Sequence, residues 1–156
     1  GLISIAATED AVVLISLPGE DHDDYFHRKL QQLLPDSDRV SSNQVLKLAM
    51  TQIREYVAGK RTEFTVPWEV YTSPFRRTVL RKVAEIPYGT VRSYCDVAKL
   101  SGSPRAYRAV GSANATNTIP IIVPCHRVVA WNGIGGYGGG IELKRQLLAH
   151  EGLTQY

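Results

Sequence analysis

Two apolar runs open the chain, residues 2–7 (Leu-Ile-Ser-Ile-Ala-Ala) and 11–17 (Ala-Val-Val-Leu-Ile-Ser-Leu), separated by Thr8-Glu9-Asp10. Short β-branched runs bounded by a polar turn predict strands. An acidic loop over 18–24 then gives way to a helical pattern through about Leu34, with Tyr25, Phe26, Leu30, Leu33 and Leu34 inward. After a polar connector at 35–42, Val45, Leu46, Ala49, Met50, Ile53, Tyr56 and Val57 recur at three- and four-residue spacing, a helix closed near Gly59. A short strand is expected at 63–66, ending at Pro67, and a linker at 68–72.

Ser73-Pro74 pairs an N-cap residue with proline at the first helical position, and Phe75, Val79, Val83 and Ile86 form the apolar face of the helix that follows. Pro87-Tyr88-Gly89-Thr90 reads as a turn. Ser93 caps a short helix from Tyr94 to Leu100, with Gly102 as its stop, and Ser103-Pro104 is expected to start another through about Asn114. Two short helices separated by a few residues including a glycine form a helix-turn-helix candidate. Apolar runs at 121–123 and 128–129 flank Pro124-Cys125-His126-Arg127, glycines crowd 133–140, and a last helix from Ile141 to His150 buries Leu143, Leu147 and Leu148 before Gly152. The pattern predicts an α/β (α+β) fold: a strand-helix scaffold domain at 1–67, the linker, and a helical, winged-helix-like domain at 73–156 carrying the cysteine.

At 156 residues, 44% hydrophobic and 21% charged, the composition is that of an ordinary globular protein. Charge changes the picture more. Residues 1–74 carry 7 Lys+Arg against 11 Asp+Glu, and residues 75–156 carry 11 against 4. A basic half points to a polyanion, nucleic acid first. Two cysteines 30 positions apart make no disulfide framework and suit a reducing, intracellular compartment; with nucleic acid as the partner, the cytoplasm is expected in a prokaryote and the nucleus in a eukaryote. No run reaches the ~18 apolar residues of a membrane span and no signal pattern is seen. Gly1 leads straight into a strand-like run, so a few preceding residues are expected to be absent.

The chemistry gathers at Cys125-His126-Arg127. Thiolate is a strong nucleophile, and a neighbouring base or positive field raises its fraction, although most free cysteines are buried small hydrophobes. Neighbours on an extended chain point to opposite faces, so His126 is expected to reach the sulfur through a water or across a kink after Pro124. Glu151 is placed to reach back to His126, or to sit solvated at a helix end. Arg105 and Arg108, followed by the small Ala109 and Gly111, suit close approach to a nucleic-acid backbone and equally suit tight helix packing with solvated arginines. Gly133-Ile134-Gly135-Gly136-Tyr137-Gly138 matches a dinucleotide fingerprint, but 18 residues remain after it, too few for the second strand and ribose-binding acid. His22 and His27 lack helical metal-ligand spacing, so no metal is expected.

The chain resembles the O6-alkylguanine-DNA alkyltransferase family. The motifs fall in order: Tyr94 in Ser-Tyr, Arg108 in Arg-Ala-Val-Gly, Asn117, Pro124-Cys125-His126-Arg127, Gly135-Gly136-Tyr137 and His150-Glu151-Gly152. The resemblance implies direct-reversal repair by a single-turnover methyltransferase without metal or cofactor, a monomer acting on double-stranded DNA that contains O6-alkylguanine. Cys125 would accept the alkyl group. His126 would draw the thiol proton through a water, Glu151 would orient the imidazole, Tyr94 would donate to the leaving guanine, and Asn117 would fix the loop. Arg108 would hold the place of a flipped nucleotide, with Arg105, Ser93, Tyr94, Ala109, Gly111 and Arg127 at the DNA. Val128, Tyr137, Gly138, Gly139 and Pro120 would line the alkyl pocket. Thr118 and Gly138 depart from residues common among relatives. A DNA lesion binder that transfers nothing, a cysteine hydrolase and a winged helix with an inert thiol are the alternatives. Retention of Cys125 argues against the first, and adjacency of Cys and His against the second.

Overall fold

The computed structural model describes residues 2–19, 22–38 and 42–156. The chain is an α+β protein that folds as two compact units, Gly1–Tyr71 and Thr72–Tyr156. No helix among the described residues is long and apolar enough to cross a membrane.

In the first unit, β1 (Ser4–Ala7) and β2 (Val12–Ser16) pair antiparallel, Ser4 opposite Ser16 and Ile5 opposite Ile15, with an irregularity between Ala6 and Ala7. Thr8 closes the turn, its hydroxyl oxygen accepting from the Ala11 amide at 3.1 Å. All five β2 residues are buried, which explains the unbroken apolar run. Trp68 joins β2 on its other edge through a parallel bridge to Val12.

Two helices pack on this hairpin: α1 (His22–Leu33) against β2, and α2 (Gln44–Val57) against both strands. Helix α1 already includes His22, Asp23 and Asp24, part of the expected acidic loop, while residues 20 and 21 of that loop and 39–41 of the connector lie outside the described residues. Tyr25, expected inward, is exposed, as are Met50 and Val57 of α2. Asn43 caps α2, accepting from the Leu46 amide at 2.7 Å and donating to Thr8 O at 3.0 Å.

The strand expected at 63–66 does not form. The side-chain oxygen of buried Gln52 accepts from the Thr65 and Val66 amides at 3.0 and 3.2 Å, replacing a strand partner.

In the second unit, α3 (Pro74–Ala84), α4 (Tyr94–Leu100) and α5 (Tyr107–Ala115) pack on one another. Ser93 and Asp96 form a reciprocal capping box on α4. The α5 helix starts at Tyr107, later than Ser103-Pro104 predicts, because residues 103–106 close as a turn with the Ala106 amide on Ser103 O at 2.8 Å. Residues 121–123 are not a strand either. A 3-10 turn, Cys125–Arg127, is followed by β4 (Val128–Val129), which pairs parallel with β3 (Arg92–Ser93). Helix α6 (Ile141–His150) ends at Gly152 in the left-handed region.

Candidate active site around a buried thiol

The segment before Cys125 is wound tightly. Ile121 holds φ +74°, a conformation rarely open to a β-branched residue, and is itself buried. Pro124, at φ −81° and ψ 65°, turns the chain so that the Cys125 amide donates to Val123 O at 2.8 Å, an inverse γ-turn. The kink after Pro124 is therefore present, and the 3-10 turn replaces the extended geometry in which neighbours diverge.

Asn117 holds this turn from the side. Its Nδ2 donates to Val123 O at 2.9 Å and to Cys125 Sγ at 3.2 Å, while its Oδ1 accepts from the Ile119 amide at 3.1 Å. Cys125 is 6% exposed, and burial raises its pKa above the ordinary thiol value. Opposing that shift are the Asn117 bond, the positive charge of Lys144 and a hydrogen bond from Tyr137. The thiol rests neutral, beside groups that favour its anion.

His126 is fully buried and Glu151 nearly so. The imidazole Nε2 lies 2.7 Å from Glu151 Oε1. Arg127 grips the same carboxylate in two places, Nε on Oε2 at 2.8 Å and an Nη on Oε1 at 3.0 Å, and the Gly89 amide adds a fourth donor at 3.1 Å. Burial alone would raise the Glu151 pKa, but the bonds from His126 and Arg127 outweigh it and bring the value down from 4.5 to about 2. An ionised Glu151 accepts a hydrogen bond from Nε2–H of a neutral imidazole and leaves Nδ1, which has no protein partner, as the acceptor. Burial lowers the His126 pKa, against the pull of Glu151, so the ring is neutral at rest.

Gly89 is required at its turn. Its φ is +71°, and a Cβ there would lie 3.2 Å from Glu151 O.

Arg127 is corrected from a DNA contact to a buried structural cation. Besides Glu151, it donates to Ile86 O at 2.6 Å and lies over the Tyr88 ring at 5.7 Å, so its guanidinium is committed inside the unit.

Lys144 was missed in the sequence reading. It is fully buried on α6 and donates to Val128 O at 2.6 Å and Gly136 O at 3.0 Å. Burial lowers its pKa from 10.5 to about 8, partly countered by Cys125. Its signal was spacing, since Lys144 stands four before Leu148 and seven before Glu151, on the inward stripe of α6.

Gly136 O also receives the Tyr94 hydroxyl at 3.4 Å, a long and weak bond. Burial raises the Tyr94 pKa, so its phenol stays protonated. Gly135, at φ +74°, lies against the Tyr94 ring, where a Cβ would come within 3.0 Å.

Of the expected pocket residues, Val128 is buried, Tyr137 and Pro120 are half-buried, and Gly138 and Gly139 are exposed. Thr118 is buried, its hydroxyl without a protein partner. Arg105, Arg108 and Ala109 are exposed on or beside α5, and Gly111 is half-buried beside the Tyr94 ring. The Ser93 hydroxyl is occupied by its cap, donating to Asp96 at 2.8 Å. Among the described residues, no three of His, Cys, Asp and Glu converge as metal ligands.

Comparison with known proteins bears on this site. Residues 74–153 match the family described as 6-O-methylguanine DNA methyltransferase, DNA binding domain. The constitutive methylated-DNA–protein-cysteine methyltransferase of Bacillus subtilis is 37% identical over 156 residues, 99% of this chain and 91% of that one. The corresponding Mycolicibacterium paratuberculosis protein is 48% identical over 104 residues, 66% of this chain but only 63% of its own length. Among solved structures, Mycobacterium tuberculosis OGT in complex with DNA superposes with a TM-score of 0.76 at 35% identity, over 96% of this chain and 85% of that one. The O6-methylguanine-DNA methyltransferase of Pyrococcus kodakaraensis gives 0.69 at 28% identity, over 95% and 89%. With the family model spanning half the chain and the Bacillus relative nearly all of it, the chain belongs to the methylated-DNA–protein-cysteine methyltransferase family.

Proposed function

We propose that the protein repairs DNA by transferring the alkyl group of O6-alkylguanine to Cys125, once per molecule. The observation that carries this reading is the hydrogen bond from Asn117 to a buried Cys125 Sγ, in a chain whose relatives are named for methylation of a protein cysteine. The target atom is inaccessible within a duplex, so the base must leave the stack. Exposed Arg108 fills the gap, while Arg105 and the small Ala109 and Gly111 let α5 lie close to the backbone. Ser93 and Tyr94, at the start of α4, complete the DNA face.

In the reaction His126 Nδ1 draws the thiol proton through a water, and the imidazolium formed is stabilised by the ionised Glu151. The Sγ anion, favoured by Asn117, Tyr137 and Lys144, displaces guanine from the alkyl carbon. The S–C bond forms as the O6–C bond breaks. Tyr94, weakly held at Gly136 O, turns to donate to the departing base. Val128, Tyr137, Gly138, Gly139 and Pro120 bound the space for the alkyl group.

A thioether is a poor leaving group, and no second thiol is placed to restore the first. The first unit serves as scaffold and the second as the acting domain. The protein works as a monomer without metal or cofactor, in an intracellular compartment reducing enough to keep the thiol free.

The test mixes the protein with excess duplex carrying O6-methylguanine. One burst equal to the protein concentration is expected, with the added methyl mass in the tryptic peptide spanning 109–127. Cys125→Ser should abolish it. Sustained turnover, or label on Cys95, overturns the reading in favour of a hydrolase or another acceptor. Binding without transfer favours a lesion sensor.

A further inference from the structure

Tyr107 is the first residue of α5 and remains 44% exposed. The Arg108 guanidinium carbon lies 5.8 Å from its ring centroid. Consecutive side chains on a helix diverge by about 100°, so the pair meets only because the two side chains turn towards each other. No ion pair reaches Arg108 among the described residues. The first turn of α5 carries no acid, and the ring is what anchors the guanidinium.

We propose that Tyr107 is a positioning residue for Arg108, its ring face holding the guanidinium ready at the start of α5 before duplex DNA arrives. This rests on the reading that Arg108 takes the place of the flipped base. A free arginine side chain has many rotamers to lose on insertion, and a planar platform removes much of that freedom in advance. A carboxylate would also hold the guanidinium, but it would repel phosphates and resist release. A neutral aromatic face attracts the cation without adding negative charge and lets it go to a stack of bases of similar chemistry. Aromatic and basic side chains interleaved on one exposed turn are also what nucleic-acid surfaces use.

The experiment compares wild type with Tyr107→Phe, Tyr107→Leu and Tyr107→Ala. Alkyl transfer is followed from an O6-methylguanine duplex and from free O6-benzylguanine, with thermal melting as a folding control. Phenylalanine keeps the ring face and should match wild type. Leucine and alanine should slow the duplex reaction about two- to fivefold, the size of one exposed cation–π contact, and leave the free-base reaction unchanged. In an Arg108→Ala background, Tyr107→Ala should cost nothing further. Leucine matching wild type, equal losses on both substrates, or an undiminished loss in the Arg108→Ala background overturns the positioning role. An active wild type with an unaffected Tyr107→Ala removes this inference alone. A wild type that transfers from neither substrate removes the repair reading with it.

Discussion

The two units bury different things. In Gly1–Tyr71 the interior includes Val12, Val13, Leu14, Ile15, Ala49, Ile53 and Tyr56, and the buried polar side chains are Ser16 and Gln52. In Thr72–Tyr156, His126, Arg127, Lys144 and Glu151 are buried as well, all of the buried acidic and basic side chains among the described residues. The first interior is held by removal of apolar area from water, which is non-directional. The second depends on directed bonds, because each ionised group taken from water costs several kcal/mol unless it is paired. One unit therefore tolerates repacking, and the other converts loss of a single partner into loss of both stability and chemistry.

The sharpest way to test that contrast is His126→Ala. Loss of the proton acceptor should slow alkyl transfer by ~10²–10⁴, with part of the rate recovered as pH rises and unassisted thiolate forms. A wild-type rate at neutral pH removes His126 from the mechanism.

Glu151→Gln should come next, destabilising by about 3–5 kcal/mol because Arg127 loses its buried counter-charge. The pH dependence follows from a pKa lowered to about 2. That stabilisation is complete above the ordinary carboxylate value near 4.5 and is lost as pH falls towards 2. Wild-type melting temperature should fall steeply over that window and the variant's should not. Parallel acid curves for the two would break the assignment.

Lys144→Met should slow transfer about tenfold by removing a positive charge near the thiol, and should cost about 1–3 kcal/mol for the carbonyls of Val128 and Gly136 it leaves unmet. Stopped-flow alkylation and denaturant melts measure the two separately.

Gln52→Leu is the contrast case. Unmet Thr65 and Val66 amides should cost about 1–2 kcal/mol, with the alkylation rate of the folded protein unchanged. A rate loss there would join the units functionally and break the comparison.

The same contrast governs what could be read from the chain. Apolar periodicity placed the helices 44–57, 74–84 and 141–150 closely, since a stripe of hydrophobic residues is a local signal. Cys125, His126 and Glu151 were legible as motifs, and the structure brings the last two within 2.7 Å. Buried polar groups were not legible. Gln52 stands between Ala49 and Tyr56 on the inward face of α2, and the strand expected at 63–66 failed because that glutamine takes its amides. Arg127 at the DNA is what the family resemblance implies, and nothing local in the chain marks it as buried. Only tertiary packing shows Glu151 taking its guanidinium. Lys144 was passed over because lysine is read by default as solvated, although its position pointed inward.

Ile121 carries a consequence for the order of events in folding. A buried, β-branched residue at φ +74° has no local preference for its own conformation, and holding it there costs on the order of 1–3 kcal/mol. Residues 119–124 can therefore settle only after the surrounding core has closed on them. The thiol's mounting is assembled late, and in the finished protein it is a natural place for transient opening. Hydrogen exchange would register that history: the Val123 amide, bonded to Ile119 O at 3.0 Å, should exchange sooner than the amides of α3, which packs on the 3-10 turn that follows.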